Sequence, residues 1–193
     1  MPHPAEYYSD YPDAVQVPSL ERPLVLAGPP GIGVGSVGAA LCSLTGWPYV
    51  EVERVIEHEV GRSIAGLVSR EGIELVTTRC WSHVYRALIR SPAACIAVHA
   101  PVLASEPRLA EVLSRARLVY LDADASALHA NLERQQARSP GELAWFGRSA
   151  ILRHDVEQLA ADSTMVRASA HEVRPVRPDA ALRTARSILK ALS

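Results

Sequence analysis

The chain has 193 residues, of which 48% are hydrophobic, and a formal net charge of −1. These values are typical of one soluble globular domain with a substantial core. There is no basic excess to indicate nucleic-acid binding, and no apolar run approaches the roughly 20 residues of a membrane span. The N-terminal region lacks the basic and apolar blocks of a signal peptide, so we expect a cytoplasmic protein.

Residues 1–21 are predicted to form an extended N-terminal arm, and residues 22–193 the folded domain. Prolines recur through the arm, which has no periodic apolar face. Three tyrosines, Tyr7, Tyr8 and Tyr11, lie among acidic residues, and tyrosine provides contact area at low entropic cost. The composition fits a solvated tail and, alternatively, a segment that binds another protein or a second copy of the chain.

The domain begins with an apolar run, Leu24–Ala27, that breaks into glycines and resumes as an apolar helical pattern. This order predicts a strand, a phosphate-binding loop and a helix. The spacing Gly28-x4-Gly33 is that of a P-loop, whose backbone N–H groups bind phosphate together with the N-terminus of the next helix. The residues predicted to bind phosphate are Gly28, Gly31, Gly33, Gly35 and Ser36.

The P-loop departs from the usual pattern at its main cation. After Gly33 the pattern requires a lysine and then a hydroxyl residue, but the chain has Val34 and Gly35, with the hydroxyl one place later at Ser36. The one lysine of the sequence, Lys190, lies near the C-terminus. Because phosphoryl transfer depends on positioning and electrostatics, the loss of this cation predicts impaired catalysis.

Segment 47–53 is predicted to be a strand that ends in two carboxylates, Glu51 and Glu53. A period of two places both side chains on one side of the strand. If the sheet is parallel, they lie at the carboxyl edge, where ligands bind. The alternative explanation is an acidic cap on a helix that begins near Arg54.

The remaining segments alternate between helical and buried-strand patterns, with a break in the segment Arg138-Ser139-Pro140-Gly141. Helices are predicted over 55–60, 64–70, 73–88, 106–114, 126–137, 150–161 and 180–192, and strands over 93–98, 117–121 and 164–168. Alternation of this kind predicts βαβ units and an α/β fold with a central parallel sheet of about five strands.

From residue 22 to residue 192 the order of elements resembles the shikimate kinase family of small P-loop kinases. The loop Gly-Pro-Pro-Gly-Ile-Gly is similar to that family's Gly-Pro-x-Gly-x-Gly, and Glu51-Val52-Glu53 falls on its Asp-x-Asp motif. Further matches are Gly38, Gly61-Arg62-Ser63-Ile64 and Glu71-Gly72-x-Glu74. The resemblance implies the three-layer αβα P-loop NTPase fold.

The resemblance also implies roles for individual residues. Glu51 falls on a position that serves the magnesium ion and its water molecules, and Glu53 falls on a residue that binds substrate hydroxyls. Ser36, one residue after the position of the family's magnesium-binding hydroxyl, is the remaining hydroxyl candidate for the ion. Arg153, with Asp162 nine residues later, resembles the family's Arg…Ala-Asp pattern, whose arginine binds the substrate carboxylate.

Three departures from the family pattern fall on its chemistry. Val34 replaces the lysine, Thr77 stands near the substrate-binding arginine, and His99-Ala100-Pro101 replaces the Gly-Gly-Gly substrate loop. The lid looks shortened, with Arg138 or Arg134 as its remaining arginine. No intact catalytic set is therefore expected, and the residual catalytic candidates are Glu51 and Arg138.

These departures favour a shikimate kinase-like pseudokinase that keeps the fold to bind a small anionic ligand or, through its N-terminal arm, a protein partner or a second copy. The alternative is an active ATP-dependent kinase of shikimate or another small hydroxylated metabolite, with an arginine in place of the lysine. ATP and Mg²⁺ are expected as cofactors only in that alternative. A structural subunit with an empty pocket is a third hypothesis. No nucleic-acid or membrane partner is expected.

Overall fold

The computed structural model of the chain describes residues 17–138, 145–146, 152–177 and 180–192. Most of the predicted N-terminal arm lies outside these residues, as do the predicted break at 139–141 and the predicted helix start at 150. The strands in the described residues are β1 (Leu24–Gly28), β2 (Tyr49–Glu51), β3 (Cys95–His99), β4 (Arg117–Asp122) and β5 (Glu172–Pro175). They form one parallel sheet in the order β2-β3-β1-β4-β5.

Helices pack on both faces of this sheet. Those in the described residues are α1 (Val34–Thr45), α2 (Val52–Val60), α3 (Ile64–Glu71), α4 (Ile73–Arg90), α5 (Glu106–Arg115), α6 (Ala125–Arg138), α7 (Arg153–Asp162), α8 (Thr164–Ser169) and α9 (Ala181–Leu192). A 3₁₀ turn, Ala100–Leu103, follows β3. None of the described helices has the length and apolar character needed to cross a membrane.

Strand β1 supplies apolar side chains to both faces of the sheet. Val25 and Ala27 belong to the core cluster formed with α2–α5, whereas Leu24 and Leu26 belong to the cluster formed with α1, α6 and α9. A strand alternates its side chains between two faces, and an apolar residue at every position therefore marks a strand covered on both sides. The predicted three-layer fold with a five-stranded parallel sheet is confirmed.

The prediction of one strand over 47–53 is wrong in its second half. Strand β2 ends at Glu51, and Val52 begins helix α2. Val52 and Ile56 are both buried, and this spacing of four residues turns one apolar face of α2 toward the core. Glu53 is therefore a helical residue, and it does not share one side of a strand with Glu51.

The prediction of a last strand over 164–168 is also wrong, because this segment forms helix α8. Its short apolar run, Met165-Val166, does not distinguish a strand from a helix by periodicity alone. The last strand is β5, whose residues alternate between partly buried and exposed. This polar segment becomes a strand because its backbone pairs in parallel with β4.

The N-terminal side of the domain includes the end of the predicted arm. Leu20 is partly buried and packs against the cluster of α1, α6 and α9, whereas Val17 is exposed. Contact with the domain thus begins before residue 22.

Candidate functional site

The loop between β1 and α1 has the backbone conformation of a phosphate-binding loop. Gly31 and Gly33 have φ values of 88° and 82°, in the left-handed region that favours glycine. The first helical hydrogen bond of α1 runs from the Val37 N–H to the Gly33 carbonyl. The N–H groups of Val34, Gly35 and Ser36 have no acceptor within the described residues. Free N–H groups at a helix N-terminus form a binding site for an anion.

Gly28 has a different role, because it lies between the sheet and the loop. A Cβ at this position would lie 2.8 Å from the Leu121 carbonyl oxygen and 2.9 Å from Cγ2 of Ile32. Its backbone pairs in register with His99 of β3. Gly28 therefore allows close packing under the loop and places the end of β3 beside it.

A cavity of about 170 Å³ opens over this loop. Besides Gly31, Gly33, Gly35 and Ser36, it is lined by Val34, Glu51, His99, Trp145 and three further residues, Pro30, Leu132 and Gln135. No lysine or arginine occurs among the described residues that line it. Four of the five residues predicted to bind phosphate thus line one cavity. Among the described lining residues, His99 is the one with a basic side chain.

Val34, at the position of the P-loop lysine, belongs to the core. Its exposed fraction is 1%, and it packs in the same apolar cluster as Leu41 of α1 and Ile188 of α9. The position that carries a cation in an ordinary P-loop therefore contributes here to helix packing.

The Glu51 carboxylate lies directly over Gly35. A Cβ at Gly35 would lie 2.8 Å from Cδ of Glu51 and would overlap its Oε1. The Tyr49 hydroxyl donates to the Gly35 carbonyl over 2.8 Å and lies 3.3 Å from Oε2 of Glu51. Burial, with the nearby Glu51 charge, raises the pKa of Tyr49 well above its usual value, so the phenol remains a donor. Nε of the exposed Arg54 is 3.6 Å from the same carboxylate.

Glu53 binds His99, the residue that stands at the first glycine of the Gly-Gly-Gly pattern described above. Its Oε1 accepts a hydrogen bond of 2.9 Å from the His99 backbone N–H and lies 3.0 Å from His99 Nδ1. Because a carboxylate is an acceptor, Nδ1 carries the proton and the ring orientation is fixed. Burial and, secondarily, the Glu53 charge raise the pKa of Cys80, so this thiol stays protonated.

Trp145 covers the His99 side of the cavity. Its exposed fraction is 2%, and its ring centroid is 6.0 Å from that of His99. The backbone has a φ of 71°, a strained value for a bulky residue. Its indole Nε1 is buried and has no hydrogen-bond partner in the part of the chain that the structure describes.

Asn131 of α6 holds the loop from the other side. Its Nδ2 donates a 2.7 Å hydrogen bond to the Gly31 carbonyl. Sequence reasoning missed both Asn131 and Trp145, since neither belongs to a motif near the loop. A tryptophan beside a glycine- and proline-rich segment was the one available signal for Trp145.

The comparison with known protein families agrees with this arrangement. The family model described as shikimate kinase matches residues 30–143, more than half of the chain. The chain belongs to the shikimate kinase family. Among curated relatives, shikimate kinase 2 from Salmonella paratyphi B and from Salmonella enteritidis is 36% identical over 53 residues. This match covers 28% of the chain and only 29% of the length of each relative.

Solved structures of shikimate kinases share the fold at low sequence identity. The enzyme from Acinetobacter baumannii, in complex with shikimate, has a TM-score of 0.72 at 22% identity and covers 89% of this chain and 92% of that chain. Those from Bacteroides thetaiotaomicron and Aquifex aeolicus have TM-scores of 0.67 and 0.65 at 12% and 18% identity. Each covers 88% of this chain and, respectively, 98% and 95% of the other.

The residues that the shikimate kinase resemblance assigned to substrate do not meet in one cavity. Glu53 is bound to His99, as described above. Arg153 is 63% exposed on α7, where its Nε forms a 2.8 Å ion pair with Glu157. Arg134 and Arg138 lie on α6, outside the described lining of the P-loop cavity. The described structure therefore does not bring these residues together at one substrate-binding site.

A second cavity of about 420 Å³ lies beyond the 3₁₀ turn. Thr77, near the position of the shikimate kinase arginine, lines it together with Asp162 and Arg108. Nη2 of Arg108 donates to Thr78 Oγ1 over 3.0 Å, and Nη1 donates to the Val102 carbonyl over 3.1 Å. Arg108 thus supplies a guanidinium from α5 that sequence reasoning did not identify.

The residues at the P-loop fit Mg²⁺ poorly. In P-loop kinases the hydroxyl residue directly after the lysine holds the ion, and here that position is Gly35. Glu51 and Ser36 both line the cavity, but Ser36 lies one residue beyond the position of that hydroxyl.

Proposed function

We propose that this member of the shikimate kinase family is impaired in phosphoryl transfer and uses its P-loop cavity to bind a small anionic ligand. The observation that carries the proposal is the absence of lysine and arginine from the described lining of that cavity, with Val34 packed in the core. A transferred phosphoryl group carries charge that a P-loop lysine and Mg²⁺ normally neutralise. The free N–H groups of the loop still favour an anion.

The N-terminal arm is proposed as the site that binds a protein partner or a second copy of the chain. Its acidic and tyrosine-rich composition supports this assignment, because tyrosine is well suited to interfaces. In this proposal the domain binds the ligand, and residues 1–21 bind the protein partner or the second copy of the chain.

The direct test compares nucleotide binding and turnover of the wild-type chain. We expect calorimetry to give no micromolar affinity for ATP with Mg²⁺, and a coupled assay of ADP release with shikimate to stay at background. Shikimate is the first substrate to test because the similar structure from Acinetobacter baumannii is a complex with it. Magnesium-dependent micromolar ATP binding, or turnover above background, would overturn the proposal.

An active kinase of a small hydroxylated metabolite is the second candidate function. It is supported by the second cavity, because Arg108 lines it together with Thr77, which is near the sequence position of the shikimate kinase arginine. An Arg108→Gln change should then raise the KM for an acidic substrate, while Arg90→Gln, on the neighbouring helix α4, serves as the matched control.

A further inference from the structure

We propose that a basic face on helix α9 binds the acidic N-terminal arm of a second copy of the chain. This rests on the proposed function, because it names the surface to which the arm binds. The basic face consists of Arg174 in β5, Arg177 beyond the end of that strand, and Arg183, Arg186 and Lys190 on α9. None of these residues lines the P-loop cavity.

The first argument is the positive charge of this face, most of which lacks an acidic partner. Arg177, Arg183 and Arg186 are exposed, and none of them forms an ion pair within the described residues. Arg177 and Arg183 line two adjoining cavities of about 360 and 520 Å³, and the described lining of both contains no aspartate or glutamate. Arg174 differs from the others, because its Nε is paired with Glu172. The described face therefore presents guanidinium groups that an external carboxylate can bind.

The second argument is the opposite charge at the other end of the sequence. Residues 1–21 contain four acidic residues and no lysine or arginine, whereas residues 173–193 contain five basic residues and one acidic residue. The whole chain has a net charge of −1, so these two ends carry most of its charge separation. Arginine also stacks on aromatic rings, and Tyr7, Tyr8 and Tyr11 lie among the acidic residues of the arm. The arm therefore offers both kinds of group that a guanidinium binds.

The third argument is the position of the arm relative to the basic face. Leu20 packs against the apolar cluster of α1, α6 and α9, and the Pro23 carbonyl accepts a hydrogen bond from the Arg117 N–H at the start of β4. The arm therefore leaves the domain at the amino edge of the parallel sheet. Arg177 follows the end of β5, at the carboxyl edge. To reach Arg177 of its own chain, the arm would have to turn back along the height of the domain.

A second copy avoids this turn. A two-fold axis that reverses the strand direction places the amino edge of one copy beside the carboxyl edge of the other. Each arm then meets the basic face of its neighbour, and the two contacts are identical, as in an isologous dimer. The 16 residues that precede the described structure can extend over roughly 55 Å, which is enough to reach a neighbouring copy.

The first experiment measures the oligomeric state of the full chain by analytical ultracentrifugation at low and high salt. We expect a dimer at low ionic strength and dissociation as salt is added. The physical reason is that exposed charges are screened over about 10 Å at 0.1 M salt and over about 3 Å at 1 M. A dimer held by apolar contacts would not dissociate in this way.

The second experiment reverses the charge on each side of the contact. The face variant combines Arg183→Glu with Arg186→Glu, and the arm variant combines Asp10→Arg with Asp13→Arg. We expect each variant alone to dimerise roughly ten-fold or more weakly, since repulsion replaces attraction at two ion pairs in each of two contacts. An equimolar mixture should dimerise like the wild type. In a mixed dimer the basic arm meets the acidic face, and the acidic arm meets the basic face.

The matched control combines Arg86→Glu with Arg90→Glu, two exposed arginines of α4. It makes the same change in net charge as the face variant and should dimerise normally. The melting temperatures of all variants should remain close to that of the wild type, because the changed residues are exposed or precede the described structure.

The outcomes separate this inference from the proposed function. If the mixture stays monomeric, or the face variant dimerises like the control, the inference fails. If deletion of residues 2–18 prevents dimer formation while the face variant still dimerises, the arm binds another surface, and the proposed role of the arm stands. If neither deletion nor charge reversal changes the oligomeric state, the inference and the proposed role of the arm both fail. A wild type that is monomeric at low salt also overturns the inference, and binding of a short DNA duplex by this monomer would identify the basic face as a nucleic-acid surface. The proposed P-loop site is tested separately, by the ATP measurements above.

Discussion

Restoring the P-loop pattern with the double change Val34→Lys and Gly35→Ser should restore nucleotide binding at a measurable cost in stability. Val34 is 1% exposed, and burial of such a side chain contributes about 1.5–3 kcal/mol to folding. We therefore expect the free energy of unfolding to fall by about 2 kcal/mol. For a chain of this length, that corresponds to a decrease in melting temperature of roughly 4–8 °C.

The gain in affinity follows from the new charge. A charge-assisted contact contributes about 1.5–3 kcal/mol, which is roughly a 10- to 150-fold increase in affinity for ATP. The new serine requires the Glu51 carboxylate to leave its place over Gly35, and the flexible end of that side chain can turn away. Both effects are measured on one preparation, by calorimetry with ATP and Mg²⁺ and by thermal unfolding.

The control is Val34→Gln with Gly35→Ser, which has similar length and polarity at position 34 but no charge. It should show the same loss of stability without the gain in ATP affinity. Equal ATP affinity in the wild type and both double variants would refute the reasoning, because the missing cation would then not limit nucleotide binding.

Three further predictions concern the arm, the sheet and the loop. Deletion of residues 2–18 should change the oligomeric state or complex formation in light scattering and pull-down, and leave the melting temperature nearly constant; no difference would identify a passive tail. His171 Nδ1 accepts a 3.0 Å hydrogen bond from the Leu118 N–H. Burial, aided by nearby arginines, lowers the pKa of His171 from its ordinary value of 6.5. The folded state therefore binds fewer protons than the unfolded state, and stability is lost as pH falls through the interval between the unfolded and folded pKa values. Urea unfolding of His171→Asn, which keeps an acceptor but does not titrate, should show a weaker pH dependence; an identical dependence contradicts this assignment. Asn131→Ala removes the donor to the Gly31 carbonyl and should lower stability by about 1 kcal/mol and weaken the binding of sulfate, used as a small anionic probe of the loop. Unchanged sulfate affinity would mean that the loop holds its conformation without Asn131.

Local patterns in the sequence were sufficient to predict the fold and the position of the glycine-rich loop. The apolar runs that begin at Leu24, Ala93 and Leu118 predicted buried parallel strands, and the glycine spacing predicted a phosphate-binding loop. The strand predictions are confirmed, because burial on both faces restricts the residue types allowed at a position. The positive φ values of Gly31 and Gly33 favour glycine in the same way. The family followed from the same motifs.

Other features depended on contacts between distant segments. Segment 172–175 is polar, and pairing with β4 makes it a strand, whereas the apolar pair in α8 suggested a strand and is helical. The sequence pattern predicts a strand at Glu53, because over three residues a side-chain alternation of period two cannot be distinguished from the first turn of a helix.

The sequence by itself determined that this chain is a shikimate kinase-like α/β domain with a P-loop that lacks its lysine. Only the tertiary structure decided which distant residues line that site. The register of β1 with β3 places His99 beside the loop, and Trp145, which is distant in sequence, lines the same cavity. The physical reason is that backbone conformation and burial are encoded over a few neighbouring residues, whereas a binding site is made by side chains that are distant in sequence and meet only when the sheet and its helices are assembled.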